Sequence, residues 1–314
     1  MSAAAGRRRA QGIIDAHHHV WDLAVRDQPW ISGAEMAPIR RSFSVDDLRP
    51  SAQAAGVRAT VLVQTVDTPA ETPEMLGLAS ADPLVAAVVG WTDLTSPTVS
   101  DELARLAARP GGGYLAGIRH QVQSEPDPDW LRRPDVLRGL RAVAAAGLCY
   151  DLVVRPRHLP AAVYAAAAVP GLTMVLDHGG KPPVTSQDLD AWATGLRAFA
   201  ALPNTACKLS GLVTEAPKDT PAAAFVSVAE VILSAFGPDR TMFGSDWPVC
   251  LLAADYAGVV QLARTLTAGL SAAEQTAVFR STAARVYGIA ESRTAGARKT
   301  SQNPWAASQP YRGL

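Results

Sequence analysis

Eight short, nearly continuous apolar runs, separated by stretches of helical character, constrain this chain more than any other feature. They are "GIIDAHH" near 13 to 18, "ATVLVQT" at 59–65, "VAAVVGW" at 85–91, "LAGIRHQV" at 115–122, "LCYDLVV" at 148–154, "LTMVLDH" at 172–178, "TACKLSG" at 205–211 and "TMFGSDW" at 241–247. An apolar run with little alternation is the pattern of a strand buried on both faces in a parallel sheet. Between the runs, "SVDDLRPSAQAAG" opens on Ser44 as an N-cap and ends on Gly56, "DVLRGLRAVAAAG" stops at Gly147, and "PAAAFVSVAEVILSAFG" starts with Pro221 and ends at Gly237. These are helix start and stop signals. Eight strands alternating with helices is the count that closes an α/β (β/α)8 TIM barrel. An open doubly wound sheet is the other candidate, but no GxGxxG or GxxxxGK[ST] loop follows any run, so nucleotide binding lacks its phosphate cradle.

The barrel is expected over residues 12–290, with an N-terminal tail at 1–11 and a polar, Pro- and Gly-bearing C-terminal tail at 291–314. Lys+Arg and Asp+Glu are equal at 29 each, which leaves no basic footprint for nucleic acid or an anionic membrane. No apolar run is long enough to span a bilayer, and the start lacks the apolar core of a signal peptide. Cys149, Cys207 and Cys250 are widely spaced and odd in number, against a disulfide framework and for a reducing compartment. A cytoplasmic enzyme with a small-molecule partner, possible also as a homo-oligomer, is the expectation.

A barrel of this kind carries its chemistry at the C-terminal ends of its strands, and polar residues collect there. His17 and His19 close the first run, Gln64 the second and Trp91 the third; Arg119 and His120 close the fourth. Tyr150 and Asp151 lie in the fifth, His178 closes the sixth, Lys208 lies on the seventh and Asp246 closes the eighth. Side chains alternate along a strand, so His17 and His19 point one way and His18 the other. Two histidines aimed together suit one metal or one substrate oxygen; His18 reads as structural.

Taken together, "DAHHHVWD", "GWTDL", "GIRHQVQSEPDPDWL", "YDLVVRPRHLP", "LDHGGKPP", "CKLSGLVTEA" and "GPDRTMFGSDWPVC" resemble the amidohydrolase superfamily. The closer similarity is to its sugar-lactone hydrolase branch, of the L-fuconolactonase and L-rhamnonolactonase type, from about residue 13 to 287. The resemblance implies a (β/α)8 barrel that hydrolyses a cyclic ester such as an aldonolactone. Binuclear members of the superfamily carry a lysine on strand 4 and a histidine on strand 5. This chain has Arg119 and His120, then Tyr150 and Asp151, which speaks against two metals. What the resemblance leaves is His17, His19, His178 and Asp246, enough for one divalent ion, of zinc type, with an open position for water. The related pyrone-dicarboxylate lactonases work without metal, so a metal-free site stays open as well.

Lactone hydrolysis needs an activated water, a stabilised oxyanion and a proton for the departing ring oxygen. Asp246 is assigned as general base, with His17, His19 and His178 stabilising the oxyanion directly or through the ion. Lysine is rare, and Lys181 and Lys208 fall at or after strand ends. They are read either as donors to the lactone carbonyl or product carboxylate, or as partners of Asp177. Arg119 is expected to grip polar substrate, with His120, Gln64 and Tyr150 as further candidates. Trp91 borders the rim, and Trp21 and Trp247 are read as walls on which a sugar face stacks. His158 is read as a helix-start or surface residue. Two other functions use similar positions: a zinc-dependent decarboxylase of aromatic or α,β-unsaturated acids, and a non-catalytic barrel that binds a sugar acid.

Overall fold

The computed structural model of the chain describes residues 12–185 and 189–290; both expected tails lie outside the described residues. Eight parallel strands run in sequence order, each paired with the next: β1 Ile13–His18, β2 Val57–Val63, β3 Val85–Gly90, β4 Leu115–His120, β5 Cys149–Leu152, β6 Met174–Leu176, β7 Thr205–Leu209 and β8 Thr241–Phe243. The ring closes just beyond β8, where Asp246 N donates to His17 O at 2.8 Å and His19 N donates to Trp247 O at 2.7 Å. This is the (β/α)8 barrel. Its closing seam runs through the histidine motif and the "SDW" segment.

The interior of the barrel is filled by small and branched side chains from alternate positions, among them Ile14, Ala16, Val61, Val63, Val175 and Met242. A second, larger apolar layer lies between strands and helices and includes Leu62, Val88, Ile118, Tyr150 and Leu176. Both layers are needed because every strand is buried on two faces, as its unalternating sequence implies. Each fully buried Val, Leu or Ile stabilises the fold by about 1.5–3 kcal/mol relative to an exposed one.

Strand β1 is not regular. Asp15 stands opposite Thr60 of β2 and His18 opposite Leu62, three steps against two. One extra residue is thus taken up as a bulge, which turns side chains locally. Ala16 belongs to the interior apolar layer, and His17 directly after it also faces the interior, where it meets Lys208. The bulge lets an apolar strand change into a histidine pair at its end.

The helices follow their signals. Helix α1 (Val45–Ala54) starts on a reciprocal cap, with Asp47 N donating to Ser44 Oγ and Ser44 N donating to Asp47 Oδ2 at 2.8 Å. Helices α2 (Glu71–Ala81) and α3 (Val99–Ala108) follow, and α4 (Pro134–Ala145) begins at a proline and ends just before Gly147. Helix α5 (Leu159–Ala168) packs its alanine face inward, then comes α6 (Leu189–Ala200). The segment after Pro221 differs from a single helix: Ala222–Phe225 is a 3-10 turn, and α7 (Val226–Phe236) starts only after it. Helix α8 (Tyr256–Leu266) is tied to β1 by the Tyr256 hydroxyl, which donates to Asp15 Oδ2 at 2.9 Å, and α9 (Ala272–Thr276) and α10 (Thr282–Val286) end the fold. Among the described residues, no helix is long and apolar enough to cross a membrane.

Candidate active site

A cavity of about 830 Å³ opens over the C-terminal ends of the strands, within the size range of small-molecule sites. Its floor holds His19, His178, Asp246 and Arg119. His17 is fully buried just behind them. The two strand-1 histidines meet nitrogen to nitrogen, with His17 Nε2 and His19 Nε2 3.1 Å apart. Asp246 Oδ1 lies 3.4 Å from His19 Nε2, 3.6 Å from His17 Nε2 and 3.8 Å from His178 Nε2. Three histidines, up to 229 positions away in sequence, therefore converge on one carboxylate oxygen of Asp246.

Two of them are held in backbone conformations that L-residues rarely adopt. Asp246 has φ 57° and His178 φ 54°, each a strain of about 1–3 kcal/mol that surrounding structure must hold. In "DHGGK" the left-handed stretch continues through Gly179, Gly180 and Lys181, at φ 60°, 72° and 56°. Two glycines make such a turn accessible, and Trp192 Nε1 secures it by donating to Gly179 O at 2.8 Å. The turn brings both His178 and Lys181 to the cavity wall. Gly211 faces it from β7: a Cβ there would lie 2.5 Å from His178 Nδ1. Only a glycine leaves the imidazole room to reach Ser210 Oγ, 2.9 Å from Nδ1.

Below the floor runs a buried ionic chain. Lys208 Nζ lies 2.5 Å from Asp151 Oδ2, 2.9 Å from Asp177 Oδ1 and 3.0 Å from His17 Nδ1. Arg119 Nη1 donates to Asp177 Oδ2 at 3.1 Å, and Nη2 donates to Gln64 O. Burial would push Asp177 up, but Lys208, His17 and Arg119 outweigh it and hold its carboxyl well below the usual range. Burial raises Asp151 to about 6, with Lys208 opposing and Asp177 adding to the shift. Burial, then Lys208, pushes His17 well below its ordinary value; burial likewise lowers His178. Asp246 goes the other way: burial would raise it, but His178, His19 and His17 around its oxygens hold it below the usual carboxylate range. At neutral pH the Asp246 carboxylate thus faces the neutral imidazoles of His17 and His178.

The donors fit a divalent cation. A tetrahedral ion with bonds of about 2.0–2.1 Å to nitrogen has ligand atoms roughly 3.3 Å apart. The three contacts among His17, His19 and Asp246, at 3.1, 3.4 and 3.6 Å, bracket that spacing. His19 is oriented for it, because its Nδ1 donates to Val63 O at 2.8 Å and leaves the Nε2 lone pair facing inward. His178 Nε2 stands further off, 3.8 Å from Asp246 Oδ1. The donor atoms that gather within 4.8 Å of one another form a His17–His19–Asp246 set and a separate His17–Asp177–His178 set. Three ligands plus an open position is the arrangement of catalytic zinc sites.

Of the expected substrate residues, Arg119 and Lys181 line the cavity, the latter paired with Glu215 Oε1 at 2.6 Å. Others do not reach it. Tyr150 faces outward into the helix layer, because alternation along β5 turns Cys149 and Asp151 inward instead. Lys208 is inside the barrel but beneath the floor, fully committed to Asp151 and Asp177. Gln64 is buried as a brace, its Nε2 donating to Asp67 Oδ1 at 3.0 Å and to Arg119 O at 3.2 Å. His120 accepts from Trp91 Nε1 at 3.1 Å, meets Glu125 Oε1 at 2.7 Å and stacks on Trp130, which takes it and Trp91 out of the wall. Trp21 and Trp247 pack edge-on against Phe43 in a buried aromatic cluster. His158 ends the 3-10 turn Pro156–His158 at the start of α5 and is buried, not surface: its Nδ1 accepts from Arg155 N at 3.0 Å.

Sequence reasoning passed over several residues that the cavity uses. Trp30 lines it and leans on Trp21 at 5.5 Å, so the aromatic wall is one residue layer removed from the expected one. Asp67 and Arg155 also line it. Among the lining cations, Arg26 is paired with Glu74, Arg119 with Asp177 and Lys181 with Glu215. Arg155 has no carboxylate partner among the described residues. The "RPR" motif that follows β5 was a visible signal for it: an arginine placed at a strand end and fixed by the next proline.

Known proteins resemble this chain over most of its length. The sequence profile of the Amidohydrolase family matches residues 14–289. L-fucono-1,5-lactonase of Burkholderia multivorans is 41% identical over 290 residues, covering 88% of this chain and 96% of that protein. L-fucono-1,5-lactonase of Burkholderia ambifaria is 40% identical over 243 residues, covering 77% and 82%. A crystal structure of an amidohydrolase from Burkholderia multivorans with bound zinc superposes with a TM-score of 0.83 at 39% identity, covering 89% of this chain and 100% of that one. Family profile, relatives and barrel agree: the chain belongs to the amidohydrolase family.

Proposed function

We propose that the protein is a lactonase that opens a sugar-acid lactone, an aldonolactone of the L-fucono type, with Asp246 as the proton-handling carboxylate. The observation that carries the reading is Asp246 itself: a carboxylate kept ionised on the floor of a substrate-sized cavity, with three imidazoles within 3.8 Å of one oxygen. Relatives at about 40% identity are named for lactone hydrolysis, which supports ester hydrolysis over decarboxylation.

In this reading Asp246 takes a proton from water as the water oxygen bonds to the lactone carbonyl carbon. The carbonyl oxygen becomes the oxyanion, and the Arg119 guanidinium supplies positive potential and donors around it. Arg119 Nε has no hydrogen-bond partner among the described residues, and Nη1 lies 3.4 Å from His17 Nε2. Such preorganised donors are worth about 2.7–4 kcal/mol of barrier each. The bond from carbonyl carbon to ring oxygen then breaks, and Asp246 returns its proton to that oxygen. The product is the open-chain hydroxy acid, with one water consumed. Where His17, His19 and Asp246 hold a zinc-type ion, it supplies Lewis acidity and a more acidic water.

The wall away from the floor suits a polyhydroxylated ring. Asp67 offers an acceptor, the guanidinium of Arg155, without a carboxylate partner among the described residues, a donor, and Trp30 an apolar face. The test is a pH-indicator assay over a panel of five- and six-membered aldonolactones, run with and without chelator. Hydrolysis of at least one 6-deoxyhexonolactone supports the reading; no hydrolysis of any lactone, with decarboxylation of an aromatic acid instead, overturns it.

A further inference from the structure

The buried ammonium of Lys208 has three neighbours and three protons. It donates to Asp151 Oδ2 at 2.5 Å, forms an ion pair with Asp177 Oδ1 at 2.9 Å, and donates to His17 Nδ1 at 3.0 Å. An ammonium has only N–H donors and no acceptor, so in its contact with His17 the Nδ1 nitrogen accepts. The third contact has a consequence across the imidazole ring. A neutral imidazole carries one proton, and Nδ1 is accepting, so the proton of His17 is on Nε2. Nε2 faces His19 Nε2 at 3.1 Å, which is a lone pair because His19 Nδ1 donates to Val63 O at 2.8 Å. The shorter hydrogen bonds run in one direction, from Lys208 to His17 to His19 to the Val63 carbonyl, and Arg119 Nη1, 3.4 Å from the same Nε2, is then directed to Asp177 Oδ2 at 3.1 Å.

That direction is the wrong one for a metal. A cation at His17, His19 and Asp246 needs the Nε2 lone pair of His17 where the chain places a hydrogen. His17 has an alternative on its other side, since Asp177 Oδ1 lies 3.4 Å from Nδ1 and can accept an Nδ1–H. We propose that Lys208 is a positioning residue that selects the tautomer of His17: Nε2–H, a donor into the site, while Lys208 holds Nδ1, and Nδ1–H toward Asp177 when a divalent cation is held. Lys208 thereby sets how tightly the histidine pair holds a cation. Asp151 keeps Lys208 in place, and it is itself held by Tyr287, whose hydroxyl, just after α10, donates to its carboxylate at 2.9 and 3.1 Å. Outer partners of ligating histidines commonly shift metal affinity by about 10–100-fold.

The inference concerns the site whatever its substrate, and its test needs no turnover. Long-range ¹⁵N spectra of the metal-free wild-type protein, with His17 identified by its loss in His17→Asn, should show the Nε2–H tautomer. A Lys208→Met, Asp151→Asn double variant, which removes one charge of each sign, should show Nδ1–H and bind zinc about 10–100-fold more tightly in competition with a chromophoric chelator. An Nδ1–H tautomer in metal-free wild type overturns the proposal, and that measurement stands whether or not the variant folds. Tighter zinc binding with His17 still in the Nε2–H form also overturns it, because charge alone would then account for the affinity.

Discussion

The middle residue of the histidine triplet makes the sharpest stability prediction. His18 is fully buried, and neither ring nitrogen has a hydrogen-bond partner among the described residues. Burial pushes its pKa down from 6.5 to about 3, with the neighbouring His19 adding to the shift. Above pH 6.5 the ring is neutral in folded and unfolded chains alike. Below it, the unfolded chain takes up a proton that the folded chain refuses until near pH 3, so stability falls with pH across that window. For a fall from pH 7 to pH 5 the loss from this one group is about 2 kcal/mol. Replacing His18 with leucine removes the titration and two unsatisfied buried nitrogens together. Urea unfolding at pH 7 and pH 5 should show His18→Leu losing about 2 kcal/mol less than wild type over that interval, since all other groups titrate in both. Equal losses in the two proteins would refute the reasoning.

Other consequences follow from the site. Gly211→Ala forces a Cβ to within 2.5 Å of His178 Nδ1 at a left-handed position, and it should lower stability by about 1–2 kcal/mol and kcat/KM by at least tenfold. Arg155→Ala removes the guanidinium and should raise KM roughly 10- to 150-fold, from a lost charged hydrogen bond of about 1.5–3 kcal/mol, while kcat changes little; an unchanged KM would remove Arg155 from substrate recognition. Because burial lowers His17 and His178, the rings stay neutral into the acid range. The acid limb of kcat/KM should therefore have its midpoint below pH 6.5, and a midpoint at or above 6.5 would contradict the neutral-imidazole floor.

Much of this architecture is legible in the residues, for identifiable reasons. Strands buried on both faces leave continuous apolar runs, so their number and order could be counted, and strand ends then located His17, His19, His178 and Asp246. What could not be read was the third dimension of single side chains. Tyr150 and Asp151 are adjacent in sequence, and only the phase of β5 decides that the aspartate faces Lys208 while the tyrosine joins the helix layer. The bulge in β1 is equally silent in the sequence, since it is a mismatch of register between two strands. Trp21 and Trp247 stand beside motif residues yet pack against Phe43, whereas Trp30, nine residues further on, reaches the cavity because the loop after β1 folds back. For Lys208 the residues left a substrate donor and a partner of Asp177 both open, and only the packing of neighbouring strands decides for Asp177, with Asp151 added.

The central claim is that Asp246 moves the protons of lactone hydrolysis, and Asp246→Asn tests it most directly. The substitution keeps the size of the side chain and removes its charge and its basicity. With the best lactone of the panel, kcat should fall by about 10²–10⁴, while the hydroxy-acid product still binds and the fold is retained by circular dichroism. An Asp246→Asn protein that turns over lactone at a near wild-type rate would contradict the account.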